Sequence, residues 1–255
     1  MVYGPQNKRG LARVGFPVLR VWLAPFGKKQ RMAKVLMVVT SHGEFPDGHK
    51  TGLWLEEYAV PYNEFTGAGL SVVTASPKGG AAPIDPRSFE NKEDETTYAN
   101  ALAEIKQTQP LDDIDGAAFD ALFFPGGHGP MFDLVRDPRV KTLLRHFVES
   151  GKVWGAVCHG PAAFVGATTS SGQPIVSGKR LAAFTNEEER EVQLDKLVPF
   201  LLQDKLVEEG AKFEEAPKWS DHVVIDGLLV TGQNPQSSAS TARAAISLLR
   251  TVAKT

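Results

Sequence analysis

The chain holds a single cysteine, Cys158, in 255 residues. That excludes an intramolecular disulfide and a cysteine-based zinc centre. A lone free thiol fits a reducing compartment, hence a cytoplasmic protein. No run approaches the roughly 18 apolar residues a membrane-spanning helix needs. Charge of one sign is also scarce: 28 Lys+Arg against 30 Asp+Glu leave a net −2. With no basic stripe or tract, no nucleic-acid or membrane partner is expected. No Gly-Lys-Ser/Thr ending marks a phosphate loop. His42, His49, His128, His146 and His222 show no metal-ligand spacing, and the sharing of one loop by His42, Glu44 and His49 is a weak signal. Neither a metal nor another cofactor is expected.

Acids are missing from residues 1–31, which carry Lys8, Arg9, Arg13, Arg20, Lys28, Lys29 and Arg31. Such a leader reads as a transit peptide or a loosely ordered extension. It lacks an apolar core with a small-residue cleavage site, so the extension is preferred. Residues 32–255 are then one domain, long enough to bury a large core without staples.

What is present is an alternation of buried strands and amphipathic helices. Continuous apolar runs predict strands at Lys34–Ser41, Leu70–Thr74, Phe119–Phe124 and Val153–Val157. Asp226-Gly227 joins two shorter ones, Val223–Ile225 and Leu228–Thr231. Helices are predicted at Thr51–Phe65 (bent or ended early by Pro61), Glu95–Gln107, Val140–Ser150, Asn186–Leu206 and Gln236–Val252. Gly160–Gly166 is a short helix, and Gly79–Asp94 a long surface loop. This order implies a three-layer α/β/α sandwich with a mostly parallel central sheet. Ligands of such sheets sit beyond the carboxyl ends of the strands. Three strands end there in loops of interest: at Ser41, at Pro125-Gly126-Gly127-His128-Gly129, and at Cys158.

The strongest signal is Ala156-Val157-Cys158-His159-Gly160-Pro161. A strand running into a thiol and then a Gly-Pro helix start forms an elbow that exposes the nucleophile. A helix N-terminus beside it favours the thiolate and is expected to lower the thiol pKa. The competing reading is a small buried hydrophobe; the strand-end position and the flanking His-Gly-Pro favour function.

The run AVCHGP resembles the nucleophile elbow of the ThiJ/PfpI superfamily, a class I glutamine amidotransferase-like, flavodoxin-like fold. Asp47–Glu57 (DGHKTGLWLEE), Phe124–Asp133 (FPGGHGPMFD), Phe184–Glu189 (FTNEEE) and Val230–Ser238 (VTGQNPQSS) resemble its other motifs. These span nearly everything past the leader. The nearest likeness is to the heat-inducible chaperone and glutathione-independent glyoxalase III branch. The resemblance implies Cys158 as nucleophile, Glu57 as the acid reaching it, and His159 as base or acid. Among Glu187, Glu188, Glu189 and Glu191, it places the carboxylate that orients the imidazole at Glu189. The N–H groups of Gly127 and His159 would form the oxyanion hole. The implied activity is that of a D-lactate dehydratase type lyase acting on methylglyoxal and related 2-oxoaldehydes, in a homodimer. The alternatives are a deglycase-like or peptidase-like cysteine hydrolase, or a non-enzymatic stress holdase or redox sensor.

Overall fold

The computed structural model describes residues 1–4, 32–89 and 96–253. Two units are distinguished, Met1–Arg31 and Met32–Thr255, and the fold is that of the second. The expected basic extension lies outside the described residues beyond Gly4, as do 90–94 of the expected loop and Glu95 at the expected start of the next helix.

Nine strands are defined among the described residues: β1 (Lys34–Val38), β2 (Ser71–Ser76), β3 (Gln109–Pro110), β4 (Ala121–Phe124), β5 (Val153–Val157), β6 (Arg180–Leu181), β7 (Lys212–Phe213), β8 (Val223–Asp226) and β9 (Leu229–Gly232). Seven form one sheet in the order β3-β2-β1-β4-β5-β9-β8. Every neighbouring pair in it is parallel except β8 and β9, which are antiparallel across the Asp226-Gly227 turn. β6 and β7 pair separately. The helices are α1 (Leu55–Gly67), α2 (Ala99–Ile105), α3 (Pro138–Glu149), α4 (Asn186–Glu191), α5 (Leu202–Glu208) and α6 (Ser238–Val252).

The strands are apolar throughout because both faces of the sheet are covered, and alternate residues feed two cores. Leu36, Val38, Leu122, Phe124, Trp154 and Ala156 pack with Val140, Leu144 and Phe147 of α3 and with Leu202 and Leu206 of α5. Their neighbours Val35, Met37, Phe123, Val153 and Val157 pack with Tyr58 and Phe65 of α1, Ile105 of α2 and Ile246 of α6. This is the expected α/β/α sandwich.

Four local expectations are corrected. The first helix starts at Leu55 rather than Thr51, because Leu53 bridges to Ile84 in extended backbone. Pro61 does not end it early: the helix runs on to Gly67 and buries the ring, so packing offsets the one backbone bond that proline cannot donate. The helix expected over Asn186–Leu206 is two, broken over residues 192–201, where Gln193 adopts φ 60° and only isolated turn bonds remain. The expected surface loop from Gly79 is partly interior: Asp85 is fully buried and caps a short turn, Pro86–Ser88.

Candidate active site

Cys158 follows β5 with φ 59°, a left-handed conformation that costs a non-glycine residue about 1–3 kcal/mol. Two backbone bonds hold it there. Its N–H donates to Gly232 O at the end of β9 (3.0 Å), and its carbonyl accepts from Phe184 N (3.0 Å). The chain then enters a five-residue 3₁₀ turn, Gly160–Phe164, not a regular helix. Cys158 is 4% exposed yet lines a cavity of about 290 Å³. Glu57, Gly127, His128 and His159 share its polar end, while Trp54, Phe184 and Trp219 supply apolar wall.

Behind the thiol lies a line of proton carriers. Cys158 Sγ is 3.3 Å from His159 Nδ1, and His159 Nε2 is 2.7 Å from Glu189 Oε2. Of the four candidate acids, Glu189 alone meets the imidazole. Glu187 and Glu191 face outward to Lys218. Glu188 is structural: it completes the capping box with Thr185, and its other oxygen accepts from Trp219 N, Gln233 Nε2 and Asn234 Nδ2.

His128, set aside on sequence, joins this group. Its Nε2 lies 2.9 Å from the other oxygen of Glu189, and its ring is 4.1 Å from that of His159. Burial, then electrostatic interaction with the neighbouring His159, push its pKa down to about 4. Its Nδ1 is buried without a partner. A neutral ring with its proton on Nε2, donated to Glu189, satisfies both facts. Burial pushes the Glu189 carboxyl up, but the two histidines outweigh it and hold the group well below the carboxylate range. Glu189 therefore stays ionised and fixes the His159 proton on Nε2, leaving Nδ1 free to accept from the thiol.

His128, His159 and Glu189 are also the one group among the described residues whose donor atoms (within 4.8 Å of one another) resemble a metal-ligand set. Their N···O separations of 2.7 and 2.9 Å are those of shared protons. Ligands about 2.0–2.1 Å from a tetrahedral ion would stand roughly 3.3 Å apart. The set is built as a hydrogen-bonded cluster. His42 and His49 are occupied locally, by Glu44 O and Asp47.

Glu57 is fully buried in the first turns of α1. A Cβ added to Gly126 would sit 2.3 Å from Glu57 Oε2 and 2.8 Å from Cys158 Cβ, so both groups crowd one glycine. Burial raises the Glu57 pKa to about 8 against the pull of Cys158 and of the Gly127 and Gly126 amides. The expected low-pKa thiol is corrected: burial and then the Glu57 charge push Cys158 up, and the short 3₁₀ turn does not offset them. The ground state is a thiol beside a protonated carboxyl, and a base must take the sulfur proton at the moment of attack. Gly127, at φ 87°, lines the cavity beside both groups, and its backbone amide lowers the pKa of each against the effect of burial. Any Cβ there would meet Trp54 N at 2.3 Å, so only glycine fits. The Ser41 end of β1 adds no cavity wall. Arg87, by contrast, lines the cavity, unsignalled in a stretch read as loop.

A buried thiol at a strained strand end, with an imidazole and a carboxylate in line, is the layout of cysteine-dependent α/β enzymes. The DJ-1/PfpI family pattern matches residues 51–248. Glutathione-independent glyoxalase hsp3101 of Schizosaccharomyces pombe is 35% identical over 244 residues, covering 87% of this chain and 98% of that protein. The crystal structure of glyoxalase III from Candida albicans superposes with a TM-score of 0.77 at 31% identity, covering 85% of this chain and 97% of that one. The Rapid Encystment Protein of Francisella tularensis superposes at 0.81 with 36% identity, covering 86% and 99%. The chain belongs to the DJ-1/PfpI family. Among the described residues no helix is long and apolar enough to cross a membrane.

Proposed function

We propose that the chain is a glutathione-independent glyoxalase that converts methylglyoxal and related 2-oxoaldehydes to 2-hydroxy acids through a hemithioacetal on Cys158. One observation carries this reading: the Cys158–His159–Glu189 line, at 3.3 and 2.7 Å, opens on a cavity that also holds the buried acid Glu57. The glyoxalases among its relatives, matched over most of both chains, support the same reading.

His159 Nδ1 takes the thiol proton as sulfur adds to the aldehyde carbon, and Glu189 balances the imidazolium. The new alkoxide is met by the N–H groups of Gly127 and His159. Glu57 gives it a proton and becomes a carboxylate. A buried carboxylate whose pKa is about 8 is a strong base, and it removes the hydrogen from the former aldehyde carbon. His159 protonates the ketone oxygen, giving an enediol. Glu57 then returns its proton to the second carbon while His159 takes the proton from the first oxygen, which leaves a thioester. Water hydrolyses it to the hydroxy acid and releases the thiol, so one water is consumed overall. The homodimer implied by family likeness and the cytoplasmic setting expected from the lone free thiol belong to the same proposal.

The test is D-lactate release from methylglyoxal without glutathione. Cys158→Ser is expected to fall to background. Glu57→Gln should lose about 10²–10⁴-fold in kcat. Turnover surviving in Cys158→Ser would overturn the mechanism.

A further inference from the structure

Among the described residues, the cavity has one fixed cation in its wall besides the proton carriers. Arg87 lines it together with Cys158, and it also lines the outer groove formed with Lys50 and His49. A residue common to both stands at the mouth, and the 41% exposure of its side chain agrees with that position. The sulfur lies deeper, almost fully buried.

The guanidinium is anchored. Nε donates to Asp85 Oδ1 at 2.9 Å and Nη2 to Oδ2 at 2.6 Å, while the Arg87 backbone N–H donates to Oδ1 at 3.0 Å. Asp85 is itself immobilised: it is fully buried and accepts from Thr51 Oγ1 at 2.9 Å. The Phe45 ring lies 5.9 Å from Cζ. A guanidinium has five N–H donors, and this fork uses one edge of it. Among the described residues, Nη1 donates no hydrogen bond. The Arg87 charge is felt inside the cavity, where it is one of the causes lowering the His128 pKa.

The remaining wall offers an anion little else. Trp54, Phe184, Val192, Trp219 and Pro235 line it. The cavity, at about 290 Å³, equals about ten waters at ~30 Å³ each, far more than a three-carbon 2-oxoaldehyde fills. A substrate anchored by its aldehyde at Cys158 has room for a longer tail toward the mouth.

We propose that Arg87 forms an anion-binding subsite at the mouth of the Cys158 cavity, and that the chain favours 2-oxoaldehydes whose far end bears a carboxylate. This substrate class rests on the glyoxalase reading. A carboxylate is chosen over a phosphate for two reasons. The free guanidinium edge is planar and matches a carboxylate. A dianion would face a single cation already shared with Asp85.

The experiment compares 4,5-dioxopentanoate with 2-oxopentanal, an uncharged aldehyde of the same chain length, in the wild type, Arg87→Gln and Arg87→Lys. The wild type is expected to show a kcat/KM tenfold or more higher for the charged aldehyde, the scale of one charge-assisted hydrogen bond. Arg87→Gln should erase the preference, and Arg87→Lys should retain part of it. The ratio of two kcat/KM values on one preparation is independent of the folded fraction, so destabilisation by an unpaired Asp85 does not disturb the reading. No preference in the wild type, or the same ratio in Arg87→Gln, overturns the subsite. If the wild type turns over no 2-oxoaldehyde, methylglyoxal included, the glyoxalase reading fails by itself. Calorimetry with 2-hydroxyglutarate and 2-hydroxypentanoate then decides the subsite. Tenfold weaker binding of the former to Arg87→Gln supports it, and equal binding to both proteins overturns it.

Discussion

Glu57 gives the fold a pH dependence of its own. Both its oxygens are buried with no hydrogen-bond partner among the described residues, and its pKa rises from 4.5 to about 8. Between those values the folded state keeps a proton that the unfolded chain has lost. The stability linked to that proton is fully present below about pH 4.5 and drains as pH rises to about 8, by about 1.4 kcal/mol per unit at most. Glu57→Gln keeps the shape and cannot ionise. Its stability advantage over the wild type should therefore grow by several kcal/mol between pH 5 and 8, measured by urea unfolding. Parallel stability curves for the two proteins would mean that Glu57 is ionised in the fold at neutral pH. The same proton matters to the proposed chemistry, since an ionised Glu57 would oppose the charge developing on Cys158 sulfur. Glu189 is the contrast: equally interior, it stays ionised because two imidazoles face it.

α4 is only six residues long, too short to persist on its own hydrogen bonds. It is held by its cap, where Thr185 Oγ1 accepts from Glu188 N at 3.1 Å and donates to Glu188 Oε2 at 3.0 Å. Thr185→Ala should cost about 1–2 kcal/mol. Because the element carries Glu189, kcat should fall with it, while a Thr185→Ser variant retains both; loss of stability with kcat intact would show that α4 does not position the carboxylate. The cap was partly legible, since Thr185 followed three residues later by Glu188 is a capping-box pattern, yet the run of three acids, Glu187–Glu189, read equally well as a solvated first turn. Cys158 was legible because strand, thiol and Gly-Pro are contiguous, and the two-core sheet because alternate apolar residues need no partner to be recognised. His128 was not: its significance is a bond to a residue 61 positions away, and only folding brings the Gly-rich turn to α4. Asp85 and Arg87 were hidden for the same reason, inside a segment whose Gly, Pro and charge content signals loop. The break after α4 depends on the backbone of Gln193, a residue type with no turn signature.

Across the whole molecule, the sheet separates two cores and also separates stability from chemistry. The proposed catalytic groups Cys158, His159 and Gly127 gather beyond the carboxyl edge of β4 and β5. Phe147 lies at the opposite edge: its carbonyl accepts from Lys152 N just before β5 begins, whereas Cys158 follows where β5 ends. Five strand residues at about 3.3 Å each put roughly 16 Å between those two edges. Phe147 is fully buried among the α3-side cluster, and truncating such a ring typically costs about 3–5 kcal/mol. For a domain of this size that is a fall in Tm of roughly 10 °C. Phe147→Ala is therefore expected to melt well below the wild type while its kcat/KM for methylglyoxal, measured well under that Tm, stays within about twofold. The Cys158 backbone itself is tied to β9 and to the segment before α4 through Gly232 and Phe184, and α3 reaches only the turn beyond it, where Lys141 Nζ donates to Ala163 O and Val165 O. A matching collapse of kcat/KM in the folded variant would mean that the cavity made in the far core reaches Cys158 through the sheet, and that the strained bend depends on packing along the full length of β5.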